Sequence, residues 1–88
     1  SPAPKIIAPR KVTFRGKRAK IGMSVTGGTD GLLLRVKATG RAKAKVRGGN
    51  PYKIIVKKIS KKRIRVKIFA TNAANLRAFA KTKAIRKR

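Results

Sequence analysis

Lysine and arginine supply nearly all the side-chain chemistry of this chain, and in two places they recur at every second residue. Arg63, Arg65 and Lys67 form one series; Arg41, Lys43, Lys45 and Arg47 form the other. Alternate residues of a β-strand share a face and lie about 6.8 Å apart, at roughly 3.4 Å per residue. That interval is comparable with the spacing of successive phosphates along a nucleic-acid strand, so each row suits contact with a sugar-phosphate backbone and carries no base readout. Lys57, Lys58, Lys61 and Lys62 lie between the rows, and Arg86, Lys87 and Arg88 close the chain, completing the candidate polyanion-binding set. A merely solvated strand face gives the same alternation. Against that reading stands the near absence of acids, because an ordinary surface intersperses both signs.

The rest of the composition excludes most other chemistry. Of 88 residues, 27 are Lys or Arg and one, Asp30, is acidic, for a formal net charge of +26. His and Cys both number 0, which rules out a Ser-His-Asp triad, a Cys-His pair and an ordinary zinc site. One carboxylate cannot form a paired acid/base. The Gly27-Gly28 cluster lacks the following Lys-Ser/Thr and helix of a phosphate-binding loop. A lysine nucleophile is the one enzymatic option left, and no cleft signature accompanies it. The expectation is therefore a non-enzymatic chain with no cofactor and no small-molecule substrate. A compact fold with this charge repels itself, and the relief is anionic: nucleic acid gripped non-specifically by its backbone, acidic surfaces of neighbouring proteins, or an anionic lipid surface. No apolar run approaches the roughly 18 residues of a spanning helix. The start at Ser1 leaves Met removal, processing or an upstream segment open.

These cations need elements to position them. A chain of this length makes one small domain that buries only about 60% of its unfolded surface, while 41% hydrophobic residues argue against disorder. Three of the 4 prolines fall between Ser1 and Pro9, which reads as an extended Pro-rich arm over residues 1–10 with Ile6-Ile7 as its apolar anchor, or equally as a disordered tail. Beyond it, Val12 and Phe14, then Ile21, Met23 and Val25, alternate with polar residues as two antiparallel strands do. Gly27-Gly28-Thr29-Asp30-Gly31 is the strongest turn signal. Leu32, Leu34, Val36 and Ala38 mark a third strand, and residues 41–47 an edge strand or an extended arm. The clearest hairpin is Lys53–Ile59 with Arg63–Phe69, turning near Ser60-Lys61-Lys62. Helix competes for so Lys-rich a stretch, but Ile64, Val66 and Ile68 would then share no stripe. After Thr71 the composition turns to Ala, Asn and Leu, so that Asn72 caps a short helix carrying Ala73, Leu76, Phe79 and Ala80 on one side. Residues 81–88 read as a frayed basic tail. The expected fold is mainly β, a small antiparallel sheet or sandwich over residues 11–80, with the Pro-rich arm before it and the short C-terminal helix at its end.

Sequence-specific reading of nucleic acid has little support, since the only helical pattern is short and its Arg77 and Lys81 serve phosphates as readily as base edges. Phe14 and Phe69 fall beside inward positions and read as core, leaving Tyr52 as the only candidate for stacking on a base, with core or turn packing beside the Gly-Gly-Asn-Pro turn as its leading reading.

Two resemblances add to this. Ser1-Pro2-Ala3-Pro4-Lys5 resembles the Pro-Ala-Pro-Lys segments of structural proteins of large double-stranded DNA viruses of algae, and implies a minor capsid protein located in the virion. Val12-Thr13-Phe14, the turn Thr26-Gly27-Gly28-Thr29-Asp30 and Leu34-Arg35-Val36-Lys37-Ala38-Thr39 are similar to the first half of major-sperm-protein-type immunoglobulin-like domains, and imply a β-sandwich-like sheet. That family is longer and less basic. The leading expectation is a basic structural component of a large assembly, a minor virion protein first. A ribosomal or mitochondrial ribosomal protein binding rRNA comes second, and a sperm-protein-like interaction module third.

Overall fold

The computed structural model describes residues 2–88; Ser1, the first residue of the expected arm, lies outside the described residues. The described residues form eight strands: β1 Pro4–Ile7, β2 Lys11–Phe14, β3 Ala19–Gly27, β4 Leu33–Ala38, β5 Lys43–Arg47, β6 Tyr52–Lys57, β7 Arg63–Thr71 and β8 Arg77–Arg86. They build two four-stranded sheets, ordered β1-β3-β6-β5 and β2-β8-β7-β4. Every pairing is antiparallel except that of β2 with β8. The order is that of a constant-type immunoglobulin sandwich, ABED against CFG, with the first strand split so that β2 joins the second sheet beside the last strand.

Alternation builds the core. From the first sheet, Ala19, Ile21, Met23 and Val25 of β3 and Ile54 and Val56 of β6 are buried; from the second, Phe14, Ile64, Val66, Ile68, Ala70 and Ala84. β-Branched side chains dominate, as a pleated surface favours. Toward β4 and β5 the inward residues Leu34, Val36, Ala38, Ala44 and Val46 are only half-buried, so the core is thin on that side of the sandwich.

The expected mainly β architecture is present, but no helix occurs among the described residues. Residues 77–86 instead form β8, in register with β7 from Thr71↔Arg77 to Arg63↔Ile85. Alanine content points to helix there, yet Ala78, Ala80, Thr82 and Ala84 alternate with Arg77, Phe79, Lys81 and Lys83. A long antiparallel ladder with a buried face outweighs a weak intrinsic propensity. Residues 81–86, expected as tail, belong to this strand, with Thr82 and Ala84 fully buried. The Thr82 hydroxyl donates to the Pro9 carbonyl at 2.7 Å. Within the expected arm, residues 4–7 pair with β3, and Pro4 is buried.

Two pairings differ from expectation. β6 and β7 do not pair as a hairpin but lie in opposite sheets, as do β2 and β3. The link from β6 to β7 carries Lys58 at φ 58° and plugs the core with the fully buried Ile59, whose amide donates to Lys17 O at 3.1 Å. Crossing between sheets lets each strand bury its apolar face against the opposite layer, which a flat hairpin cannot do. The β4–β5 link crosses in the same way through a tight turn, Thr39–Ala42, with Gly40 and Arg41 both at positive φ, the signature of a type I′ turn.

Asn72, expected as a helix cap, is buried and ties loops together. Its Nδ2 donates to Pro2 O at 3.2 Å and Gly28 O at 3.1 Å, while its Oδ1 accepts from Leu76 N at 3.0 Å. Asn50 acts similarly just before β6. Its Oδ1 accepts from Val25 N at 3.1 Å and its Nδ2 donates to Val25 O at 2.6 Å, extending the ladder with a side chain.

Candidate nucleic-acid interface

Because register and alternation fix which residues share a face, the outer surface of each sheet can be read row by row. On the second sheet, Lys11, Lys83 and Arg65 stand side by side across β2, β8 and β7. The next row is Lys81, Lys67 and Lys37, across β8, β7 and β4. Then come Phe79, Phe69 and Arg35, and after them Arg77, Thr71 and Leu33. Every cation of these rows is exposed, and no acid interrupts them. Arg63 extends the β7 series, and with Thr39, Ile64, Arg65 and Lys83 it lines a shallow hollow.

The outer face of the first sheet is built on the same rule. Lys43 faces Lys57 and Arg47 faces Lys53 across β5 and β6, and Lys45 and Lys20 flank Ile55 from either side. Like charges directly opposite on one face repel, and both sheets carry such pairs. The two rows singled out in the sequence thus lie on opposite outer faces of the sandwich: Arg63, Arg65 and Lys67 on one, Lys43, Lys45, Arg47 and Lys57 on the other.

A third cationic region lies at one end. Arg15, Lys17 and Arg18 of the β2–β3 loop, Lys58, Lys61 and Lys62 of the β6–β7 link, and Lys87 and Arg88 converge there. Hydrogen bonds from Ile59 N to Lys17 O at 3.1 Å, Arg86 N to Lys62 O at 2.8 Å and Lys87 N to Phe14 O at 2.8 Å bind these segments together. Arg41 belongs to the turn at this end rather than to the β5 row, since β5 begins at Lys43. The opposite end, made by residues 2–3, 28–32, 48–51 and 72–76, contains no Lys or Arg and holds Asp30. What the fold uses there is the Asp30 main chain, whose carbonyl accepts from Ala73 N at 2.8 Å.

Arg86 leaves the candidate set. Its guanidinium donates to Gly16 O, to Ile59 O at 3.2 Å and to Lys61 O at 3.2 Å, and lies 5.0 Å from the centre of the Phe14 ring. Its donors are turned onto three carbonyls, so it pins the cationic loops in place instead of offering itself to a phosphate. Tyr52, the one aromatic that offered stacking as an alternative to packing, is half-buried on the inward side opposite Met23.

Sequence reasoning passed over Lys11, Lys20, Arg35, Lys37, Lys53 and Lys83, which with Arg77 and Lys81 complete the two faces, and it read Phe69 as core and put Phe79 on the apolar side of a helix. The missing signal is parity. Phe69 shares the odd-numbered register of Arg63, Arg65 and Lys67, and Phe79 that of Arg77, Lys81 and Lys83, so both rings emerge on the cationic side. Their centroids are 5.1 Å apart at an interplanar angle of 50°, and the Arg35 guanidinium lies 5.6 Å from the centre of Phe69.

No protein-family model and no curated protein matches the chain. No cluster of His, Cys, Asp or Glu able to hold a metal occurs among the described residues, and no helix long and apolar enough to cross a membrane occurs among them.

Proposed function

We propose that this protein is a non-enzymatic structural component of a large nucleic-acid-containing assembly, holding polyanion against the outer faces of its sandwich. The observation that carries the reading is the register. On both sheets Lys and Arg stand directly opposite Lys and Arg, an arrangement that weakens the isolated fold and gains only when phosphates lie between the charges. The strand order argues for no function by itself. The mechanism is counterion release from a backbone, independent of base sequence. Two cationic faces on opposite sides allow one molecule to bridge two strands or two segments of one strand. Of the assemblies that fit, a virion is favoured by the Pro-Ala-Pro-Lys start, with the protein as a minor capsid component, and a ribosome is the alternative.

Copurification separates these. Recovery with genome-bearing particles is expected, whereas recovery with rRNA through high-salt washing, lost on nuclease treatment, would move the assignment to the ribosome. The cationic faces are tested by replacing Arg63, Arg65 and Lys67 together with Gln. The slope of log K against log salt for a single strand is then expected to fall by about 2, at roughly 0.7 for each phosphate left without its cation. An unchanged slope would remove this face from the interface.

A further inference from the structure

The second sheet carries more than charge. Phe79 is 54% exposed and Leu33 72% exposed, unusual places for large apolar side chains on a face dominated by Lys and Arg. The two rings and Arg35 form one continuous row across β8, β7 and β4, with the Lys81-Lys67-Lys37 row on one side and Arg77 on the other. Rows two residues apart along a strand are separated by about 6.8 Å. Beside the rings is a hollow bounded by Leu33, Arg35, Phe69, Thr71, Asn75 and Arg77. A phosphate path and a stacking surface are therefore adjacent and parallel.

We infer that this face takes single-stranded nucleic acid, with phosphates along the Lys81-Lys67-Lys37 row and a base stacked on the open face of Phe79. This rests on the polyanion reading and deepens it by naming the strandedness of the partner. A duplex hides its base faces inside its own stack, so an aromatic ring on a sheet surface gains from bases only when they are unpaired. An acidic protein would satisfy the lysines but has no row of bases to offer the rings. Phe69 is covered on one side by Arg35 and on the other by Phe79, so it serves as a backing that fixes Phe79, and Phe79 presents the free face. Stacking of this kind accepts any base, in keeping with a surface that lacks a recognition helix.

The experiment compares fluorescently labelled 12-mers of thymidylate and of uridylate with an abasic phosphodiester of the same length and with polyphosphate. Wild-type protein should bind the base-bearing strands at least about five-fold more tightly than the abasic strand, from the affinity a stacked base contributes. The two sugars separate RNA from DNA as the source of the strand. Phe79→Ala should abolish that advantage and leave abasic binding and the salt slope within about two-fold of wild type, since no charge is lost. Phe79 lies outside the core, and circular dichroism and thermal unfolding confirm that the variant folds. The chain contains 0 Trp, so Phe79→Trp adds a single reporter whose emission should be quenched by the base-bearing strands and not by the abasic one. Equal affinity for base-bearing and abasic strands, or an equal loss on both in Phe79→Ala, would overturn the stacking surface while leaving the cationic faces standing. Failure of all four polyanions to bind would instead overturn the polyanion reading itself.

Discussion

Single residues divide into those exposed on the cationic faces and those that hold the loops. Arg86 shows that charge alone does not assign a cation to the first group. Adjacent to Lys87 and Arg88 it reads as one more tail cation, but its place in β8 turns its fork onto Gly16 O, Ile59 O and Lys61 O over the Phe14 ring. Hydrogen bonds from a charged donor contribute about 1.5–3 kcal/mol each when buried, and less near the surface. Arg86→Ala should therefore destabilise the protein by about 2–3 kcal/mol, read as a fall in the urea midpoint, and Arg86→Lys should recover only part because it lacks the fork. A loss under about 0.5 kcal/mol, the range of an ordinary surface substitution, would return Arg86 to the pool of free surface cations. Asn72 is the counterpart at the other end, and three loops lean on its one amide. Its substitution by Ala removes a part-buried partner from the Pro2 and Gly28 carbonyls and the Leu76 amide, at a cost of about 1–3 kcal/mol for each group that water does not reach.

Strands were legible wherever alternation ran without interruption. β3, β4, β5, β6 and β7 fall close to their expected ranges because apolar residues recur there at period two. Pairing was not legible, since the same pattern serves a hairpin and a sheet-to-sheet crossing, and the choice is made by Ile59 and by the turn at Gly40-Arg41, which are tertiary events. β8 was hidden by alanines, which are small enough to sit inward in a strand and common enough in helices to suggest one. The candidate cations were legible as rows, but their division between two faces and one end depends on that pairing. β1 supplies a test at this scale. It covers the edge of β3 through Pro4↔Gly27 to Ile7↔Ser24 and adds Pro4 and Ile6 to the core. A chain starting at Ala8 should unfold at a temperature lower by about 10 °C or more, because about 2 kcal/mol of buried apolar surface is lost and each kcal/mol shifts a domain of this size by about 4–8 °C. It should also self-associate on size-exclusion chromatography through the uncovered β3 edge. A monomer of unchanged melting temperature would show β1 to be dispensable.

At the scale of the whole molecule the charge is arranged, not merely large. The body measures 44 × 19 × 19 Å, narrow enough that at low salt, about 0.01 M, where the Debye length is about 30 Å, cations on the two outer faces lie within one such length of each other. Each face therefore feels the other, and the net charge of +26 opposes compaction through the full thickness of a core that is thin beside β4 and β5. Screening should relieve this directly. Raising NaCl from about 20 to 300 mM in the absence of polyanion should increase the melting temperature, the reverse of its effect on binding, where the same salt competes with phosphates. A saturating polyanion at low salt should stabilise further, by about 2.7 kcal/mol at a hundredfold excess over its Kd. The two effects oppose each other, because salt strengthens the free fold while weakening the complex. Melting temperatures measured with and without polyphosphate across the salt series should converge as salt rises. Parallel curves, or a free protein indifferent to salt, would mean that the opposed lysines are not in strain and that the register of the two faces is not built around an anion.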